Sequence, residues 1–444
     1  MMTYEEALAY IQQLNNRGIA LGLERIETLL ARLGSPQDTL HCIHVAGTNG
    51  KGSVCAFMDS ALRKAGLRVG RYSSPAVLEY LECIQINGAS ISEHDFAAAL
   101  TQVREACLAM EQDGQELPTV FEVETAVAFL YFAQQQCDYV LLEVGMGGRL
   151  DSTNVIAKPV LSVITPVSLD HTAMLGDTLA AIAAEKGGII KDGCAVVLGP
   201  QQQEALDVLL LRCADCGVVP VMTDAAAVQP FSWNITEQCF TYRQWQNISI
   251  GLLGDYQCVN AAIALDALQV LQQQEATLTD TAIRSGLQEA RWPGRFEVIC
   301  RNPLFIVDGA HNPAGAKALA DTLQQHFFDR KMYLLMGVFK DKDYTEIARI
   351  MRPCSDTIYC FQPPQPRGLA ADVLAETVQP YYRNVIAADS AAQAVQMVWQ
   401  EAKRQDAVIV SFGSLSTIRE VETAVQHITQ QKEGQHGTAE CSAK

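Results

Sequence analysis

HCIHVAGTNGKGS occupies residues 41–53, an apolar run that breaks into glycines and ends on a lysine, a glycine and a serine. Ile43, Val45 and Ala46 have the character of a short buried strand, and residues 54–65 carry an apolar period of helical spacing. Between them Gly47, Thr48, Asn49 and Gly50 form a turn that gives way to Lys51, Gly52 and Ser53. Strand, glycine turn and helix in that order make a cradle for an anion, because glycines let backbone N–H groups converge and a helix N-terminus adds partial positive charge. Lys51 is then placed to reach the outer phosphates of a nucleotide as a point charge. Only two residues separate the first two glycines, and Gly52 stands where the common phosphate-loop pattern has Ser or Thr, so a strict pattern search passes over this stretch.

Working outward, 444 residues exceed one ordinary hydrophobic core, and two domains are expected. A chain 49% hydrophobic and 19% charged is folded and globular, not disordered. The net charge of −17 leaves no dominant basic footprint, so no nucleic-acid partner is expected and any anionic ligand must be met by a local cluster. MMTYEEALAY at the start has no basic segment followed by an apolar core, and no apolar run approaches a bilayer span; neither a signal peptide nor a membrane partner is expected. The 14 cysteines are scattered singly, the pattern of reduced thiols in a cytoplasmic protein, and the lone C-x-x-C of Cys213 and Cys216 is two ligands short of a zinc site.

Along the chain, apolar runs of strand length alternate with segments of helical period. Strands are predicted at 67–72, 139–144, 159–164, 195–198 and 218–222, with helices at 93–110, 120–136 and 201–213 and Ser92 as a helix cap. Residues 229–253 switch to short alternating segments, a small antiparallel addition. Trp292, Pro293, Gly294 and Arg295 break the pattern and mark a hinge, after which strands at 303–307, 332–336, 357–361, 384–387 and 408–411 begin a second alternation. The expected division is 1–291, a hinge at 292–295, 296–430, and a flexible tail over 431–444.

Chemistry-bearing residues fall at the predicted C-terminal ends of these strands, where open parallel sheets bind ligands. Ser73, Ser74 and Pro75 follow the second strand, and Glu143 closes the apolar run 139–144 beside the glycines of 145–148. A carboxylate there suits Mg²⁺ held against a nucleotide phosphate. His171 lies on a later strand-end loop, and Glu185 and Lys186 on the helix beyond. Taken singly, His171 reads sooner as a turn histidine than as a ligand, and Glu185 and Lys186 as solvated helical charges; their weight comes from following consecutive strands of one sheet whose ends should converge.

HVAGTNGKGS (44–53), SSP (73–75), EVGMGGRLDSTN (143–154), SLDH (168–171), EKGGIIK (185–191), WPGR (292–295) and DGAHNP (308–313) together resemble the folylpolyglutamate and dihydrofolate synthases among the Mur-ligase-like ATP-dependent amide ligases. The motifs run through nearly the whole chain in the family's order. The resemblance implies an α/β fold of two domains: an N-terminal ATPase domain of the phosphate-loop type with a largely parallel sheet and the small antiparallel addition, and a smaller Rossmann-like C-terminal domain that ligates glutamate. It implies ATP and two Mg²⁺ ions, and L-glutamate added to a folate, to dihydropteroate or to both through an acyl phosphate. Because the two domains already supply the complete set of expected groups, a cytoplasmic monomer is expected.

By the same resemblance Gly47, Thr48, Asn49, Gly50, Lys51, Gly52 and Ser53 hold the phosphates, and Ser53, Ser73 and Glu143 surround a first Mg²⁺. Glu143, His171 and Lys186, the last as a carbamate, hold a second. Gln257 and Asn260 meet the adenine side, Arg295 and Asp308 the nucleotide phosphates, and His311 the acyl phosphate. Ser74 and Pro75 serve the substrate, and Ser414 the incoming glutamate. Tyr256 and Ala76 stand where relatives often have histidine, and Cys83 where a basic residue is frequent. A sister ligase acting on another carboxylate, or a nucleotide-binding switch, remains an alternative.

Overall fold

Cys42–Ala46 (β1) is a strand with every residue buried, inside an eight-stranded sheet. The computed structural model describes residues 1–14, 17, 18 and 20–437. Beside β1 the sheet contains Val69–Tyr72 (β2), Ile84–Ile86 (β3), Ala89–Ser90 (β4), Tyr139–Glu143 (β5), Leu161–Ile164 (β6), Ala195–Leu198 (β7) and Val221–Met222 (β8). Their order is β4-β3-β2-β5-β1-β6-β7-β8, with β2 through β8 in that order parallel and the β3–β4 hairpin antiparallel at one edge. From β1 the chain goes outward to β2 on one side and later to β6 on the other, so the C-terminal end of β1 lies at the switch point of the sheet.

The parallel strands match the predicted runs within a few residues, the last shrinking to Val221–Met222. The hairpin was not legible, because two- and three-residue strands have too few side chains to show a period. Ser92 does cap its helix, its side chain accepting from Asp95 N, and Glu93–Gln112 follows. Helix Val120–Gln134 opens on a capping box in which Thr119 and Glu122 exchange side-chain bonds with each other's backbone N–H. The 229–253 segment forms a separate three-stranded antiparallel sheet from Val228–Trp233 (β9), Gln238–Tyr242 (β10) and Trp245–Ile250 (β11).

Helix Lys51–Lys64 is buried from Gly52 through Leu62. Burial on all sides requires a close neighbour, and helix Asp280–Glu289 supplies it: a Cβ on Gly286 would come within 2.3 Å of Ala61 Cα. Only glycine permits that approach.

The second sheet consists of Glu297–Arg301 (β12), Leu304–Val307 (β13), Met332–Met336 (β14), Thr357–Phe361 (β15), Asn384–Ala388 (β16) and Val408–Phe412 (β17), in the order β12-β13-β17-β14-β15-β16. It is parallel except for β12, which pairs antiparallel with β13. The final helix runs Ile418–Gly437, through the first half of the tail expected to be flexible; 438–444 lie outside the described residues.

The chain separates into two compact units, Met1–Gly251 with Gln257–Arg291, and Leu252–Tyr256 with the chain from Trp292 onward. The short segment belongs to the second unit for a local reason. Asp255 N donates to Thr322 Oγ1 at 3.1 Å, His326 Nε2 lies 2.8 Å from Asp255 Oδ1, and Tyr256 donates its hydroxyl to Asp308 Oδ2 at 2.7 Å. Among the described residues no helix is long and apolar enough to cross a membrane.

Candidate active site

The glycine turn after β1 is shaped by two residues that tolerate no side chain. Gly47 has φ 145° and Gly50 φ 90°; a Cβ on the first would overlap Thr165 Oγ1 at 1.8 Å and one on the second Asn260 Oδ1 at 2.4 Å. The loop after β6 braces the turn from outside: Thr48 N and Asn49 N both donate to Pro166 O, and Thr48 Oγ1 bonds Ser168 O at 3.0 Å. Gly50 is the N-cap of helix Lys51–Lys64 and brings no side-chain cap. The first-turn N–H groups therefore have no capping side chain of their own, the condition that suits an anion.

Two lysines converge on this turn. Lys51 Nζ donates to Gly47 O at 3.1 Å and Thr48 O at 3.3 Å, and Lys186 Nζ donates to the same Gly47 oxygen at 2.8 Å. Lys186 is buried; burial, then the charge of Lys51, push its amine down to about 7, against the opposing pull of Asp170 and Asp151. Helix Leu179–Gly187 delivers it because the 145–150 loop packs backbone to backbone on that helix. A Cβ on Gly148 would stand 2.6 Å from Glu185 O, and Arg149 N donates to that same oxygen at 2.7 Å. Glu185 is accounted for by its ion pair with Arg149 at 2.8 Å.

Of the predicted metal ligands, Glu143 is buried at the end of β5, level with Val45 across the sheet, and Ser53 and Ser73 are buried as well. Ser74 is half-buried and Pro75 exposed. His171 is exposed, with φ 51° at the start of a one-turn helix, and its Nε2 lies 4.0 Å from Asp170 Oδ1. Among the described residues no three His, Cys, Asp or Glu side chains form a cluster able to hold a metal ion. The chemistry of the donor set still suits Mg²⁺ at the first position, where a carboxylate and two hydroxyls are hard oxygen ligands.

Asn260 Nδ2 donates to Gln257 Oε1 at 2.9 Å, while Asn260 Oδ1 faces Gly50. Gln257 is fully buried and its Nε2 is a donor without an acceptor.

Asp151 and His44 lie inside the motifs 143–154 and 44–53 and carry no role in the sequence pattern. Asp151 is buried and accepts from Met146 N at 2.9 Å, Thr153 N at 3.0 Å and Thr153 Oγ1 at 2.5 Å. Burial raises its carboxyl, and these bonds oppose the rise. Because Thr153 gives its proton to Asp151, it receives one from His44 Nε2 at 2.8 Å, which leaves buried Nδ1 as an acceptor with no partner. Burial, followed by Lys191, holds His44 down at about 3, so the ring is neutral. The D-x-T spacing after the glycine loop is the signal that marks this as a built turn.

In the second unit, Asp308 accepts from Phe296 N and Ala310 N at 2.8 Å each and from the Tyr256 hydroxyl at 2.7 Å. The tyrosine that departs from the family's histidine thus bonds an expected site residue directly. A Cβ on Gly309 would come within 2.3 Å of Arg295 Nη1, so the guanidinium lies over that turn. His311 Nδ1 lies 2.7 Å from Gly309 O, which fixes a proton on that nitrogen. Ser414 caps the short helix after β17 and bonds Ser416 Oγ at 2.8 Å.

Comparison with known proteins follows the same division. The Mur ligase middle domain matches residues 45–268, and the glutamate ligase domain of Mur ligases matches residues 294–415. The dihydrofolate synthase/folylpolyglutamate synthase of Bacillus subtilis is 38% identical over 369 residues, covering 80% of this chain and 84% of its own. That of Escherichia coli is 32% identical over 425 residues, covering 93% and 94%. The structure of Mycobacterium tuberculosis folylpolyglutamate synthase complexed with ADP superposes with a TM-score of 0.87 at 31% identity, over 95% of this chain and 98% of that one.

Proposed function

Since the chain belongs to the folylpolyglutamate and dihydrofolate synthases, the ATP-dependent glutamate ligases built on Mur ligase domains, we propose that its glycine turn holds the phosphates of ATP while a folate or dihydropteroate carboxylate is activated and joined to L-glutamate. The observation that carries this reading is the convergence of Lys51 and Lys186 on Gly47 O, at a glycine turn that opens an uncapped helix.

Transfer of the terminal phosphoryl group to the carboxylate gives an acyl phosphate and ADP. The glutamate amine then attacks the acyl carbon, the C–N bond forms, the C–O bond to phosphate breaks, and inorganic phosphate leaves. Both steps spread negative charge over phosphate oxygens, so the site needs fixed positive charge and N–H donors more than a nucleophile of its own. Lys51 and the N–H groups opening its helix supply these, and Gly47 and Gly50 leave the room. Gln257 offers its unpaired donor to the nucleotide, its oxygen held by Asn260, whose own oxygen packs against Gly50.

Ser53, Ser73 and Glu143 are the residues that would hold a first Mg²⁺, and Glu143, His171 and Lys186 a second. Bound there, the metal would neutralise phosphate charge. Lys186 fits its part, because an amine held at about 7 has a neutral fraction at neutral pH that can attack CO₂, forming an N–C bond and losing a proton. In the second unit, Arg295 and Asp308 are assigned to phosphate, His311 to the acyl group and Ser414 to glutamate; Ser74 and Pro75 are assigned to the pterin-bearing substrate. The compartment is the cytoplasm, in keeping with the free state of every described cysteine, and the protein acts as a monomer, since one chain carries every group assigned here.

Incubation of the purified protein with ATP, Mg²⁺, L-glutamate and either dihydropteroate or tetrahydrofolate, with products read by mass spectrometry, tests the reading. A glutamyl addition to one substrate names the activity and addition to both makes it bifunctional. ATP hydrolysis without addition to either would overturn it.

A further inference from the structure

We propose that Glu124 is a positioning residue of the ligase: through the Tyr80 hydroxyl it latches the loop 73–83 onto helix Val120–Gln134 and so fixes Ser73 at the end of β2. The proposal rests on the reading above, which makes Ser73 a metal ligand; the latch itself stands on geometry alone.

The loop leaves the sheet at Ser73 and returns at Cys83, and Ser73 N donates to Cys83 O at 3.0 Å, so its two ends move together. Within it, Glu82 gathers the turn. Its carboxylate accepts from Val77 N, from Leu78 N at 2.9 Å and from Glu79 N at 3.2 Å. These bonds fold the loop upon itself but do not hold its tip to the body of the unit. Tyr80 does: its hydroxyl donates to Glu124 Oε1 at 2.5 Å, and its ring meets Phe96 edge-on at 5.7 Å.

A carboxyl at position 124 is expensive for the helix. The side chain retains some solvent contact, but with Tyr72, Tyr80, Cys83 and Phe96 it lines a small cavity, and burial pushes its carboxyl up to about 7 against the pull of the Tyr80 bond. An apolar pair would bury the same surface without desolvating an acid. What the polar pair adds is direction. Ring packing on Phe96 alone lets Tyr80 slide, whereas a short hydroxyl–carboxyl bond admits one geometry.

Three variants of the full chain separate a latch from mere packing. Tyr80→Phe keeps the ring and removes the donor, Glu124→Leu removes the acceptor, and Glu124→Gln keeps an acceptor oxygen. In the ligand-free protein, amides of 73–83 are expected to exchange with deuterium about tenfold faster in Tyr80→Phe and Glu124→Leu, while peptides from 120–134 are unchanged and Glu124→Gln stays near wild type. In steady-state ligation the first two raise KM for ATP·Mg²⁺ about tenfold with kcat held within about twofold, and Glu124→Gln restores KM. Unchanged exchange in Tyr80→Phe, or a Glu124→Gln variant as impaired as Glu124→Leu, overturns the proposal. A wild-type protein that adds no glutamate while the exchange pattern holds overturns the ligase reading and the catalytic part of the proposal, and supports the latch.

Discussion

Lys186 Nζ donates to the carbonyl oxygen of Gly47 at 2.8 Å, although the two residues are 139 positions apart and the same oxygen already receives Lys51 at 3.1 Å. Two amines sharing one acceptor, one of them buried, cannot both carry full charge cheaply. Burial first, and then the charge of Lys51, lower the proton affinity of Lys186.

That resolution has a pH signature. The unfolded lysine keeps its proton to about 10.4, whereas the folded amine titrates at about 7. Below the unfolded value the unfolded chain binds more protons, so stability rises as pH climbs from 7 towards 10 and the penalty is full below 7. Lys186→Met is expected to be more stable than wild type near pH 6, by on the order of 2–4 kcal/mol, with the gap closing towards pH 10. Denaturant titrations across that range check it; a gap independent of pH would contradict it.

Ligation should be sensitive to dissolved CO₂ through the same lysine. Intact-protein mass spectrometry from bicarbonate buffer is expected to show the carbamate increment on wild type and not on Lys186→Ala. Activity of Lys186→Ala should fall by at least about 10²-fold. Full activity in CO₂-free buffer, with no adduct, would remove the carbamate.

Lys51→Ala and Glu143→Ala each remove a charge assigned to the phosphates or their metal, and kcat is expected to drop by about 10²–10³-fold or more. Circular dichroism and thermal midpoints near wild type should accompany the loss. Retained ligation in either variant would release that residue from the site.

Arg25 Nε lies 3.1 Å from both carboxylate oxygens of Glu122, and both side chains are buried. Removing one partner strands the other: Arg25→Met alone should cost about 3–5 kcal/mol in unfolding free energy, and adding Glu122→Leu should recover much of it. Equal losses in single and double variants would mean that the pair contributes through its other bonds.

Gly286→Ala tests packing away from the chemistry. The added carbon falls 2.3 Å from Ala61 Cα, so the two helices must part, at a cost of about 1–3 kcal/mol. A lowered thermal midpoint with kcat preserved at low temperature is expected.

The parallel strands and the cradle were legible because each is local: an apolar run of strand length, a glycine pair, and a helical period lie within consecutive residues. The arrangement of the site was legible only in part. Lys186 carries no local mark of burial, since Glu185 beside it reads as a solvated charge until Arg149 is seen to pair with it. The His44–Thr153–Asp151 chain spans 109 residues between its first two members, and no periodicity encodes that meeting. The Leu252–Tyr256 segment was missed for the same reason, since Thr322, His326 and Asp308 bind it from afar.

That segment has a consequence for how the chain can be cut and recombined. The backbone passes between the units at 251/252, at 256/257 and again at 291/292. A fragment begun at Trp292 would lack the five residues that Thr322, His326 and Asp308 bind, and a fragment ended at Arg291 would carry those residues with their partners gone. Grafting the second unit from a relative therefore requires three splices, one of them inside the first turn of helix Asp255–Gln272. A library of single-crossover chimaeras would be depleted of functional clones at the very junction that looks like the natural seam.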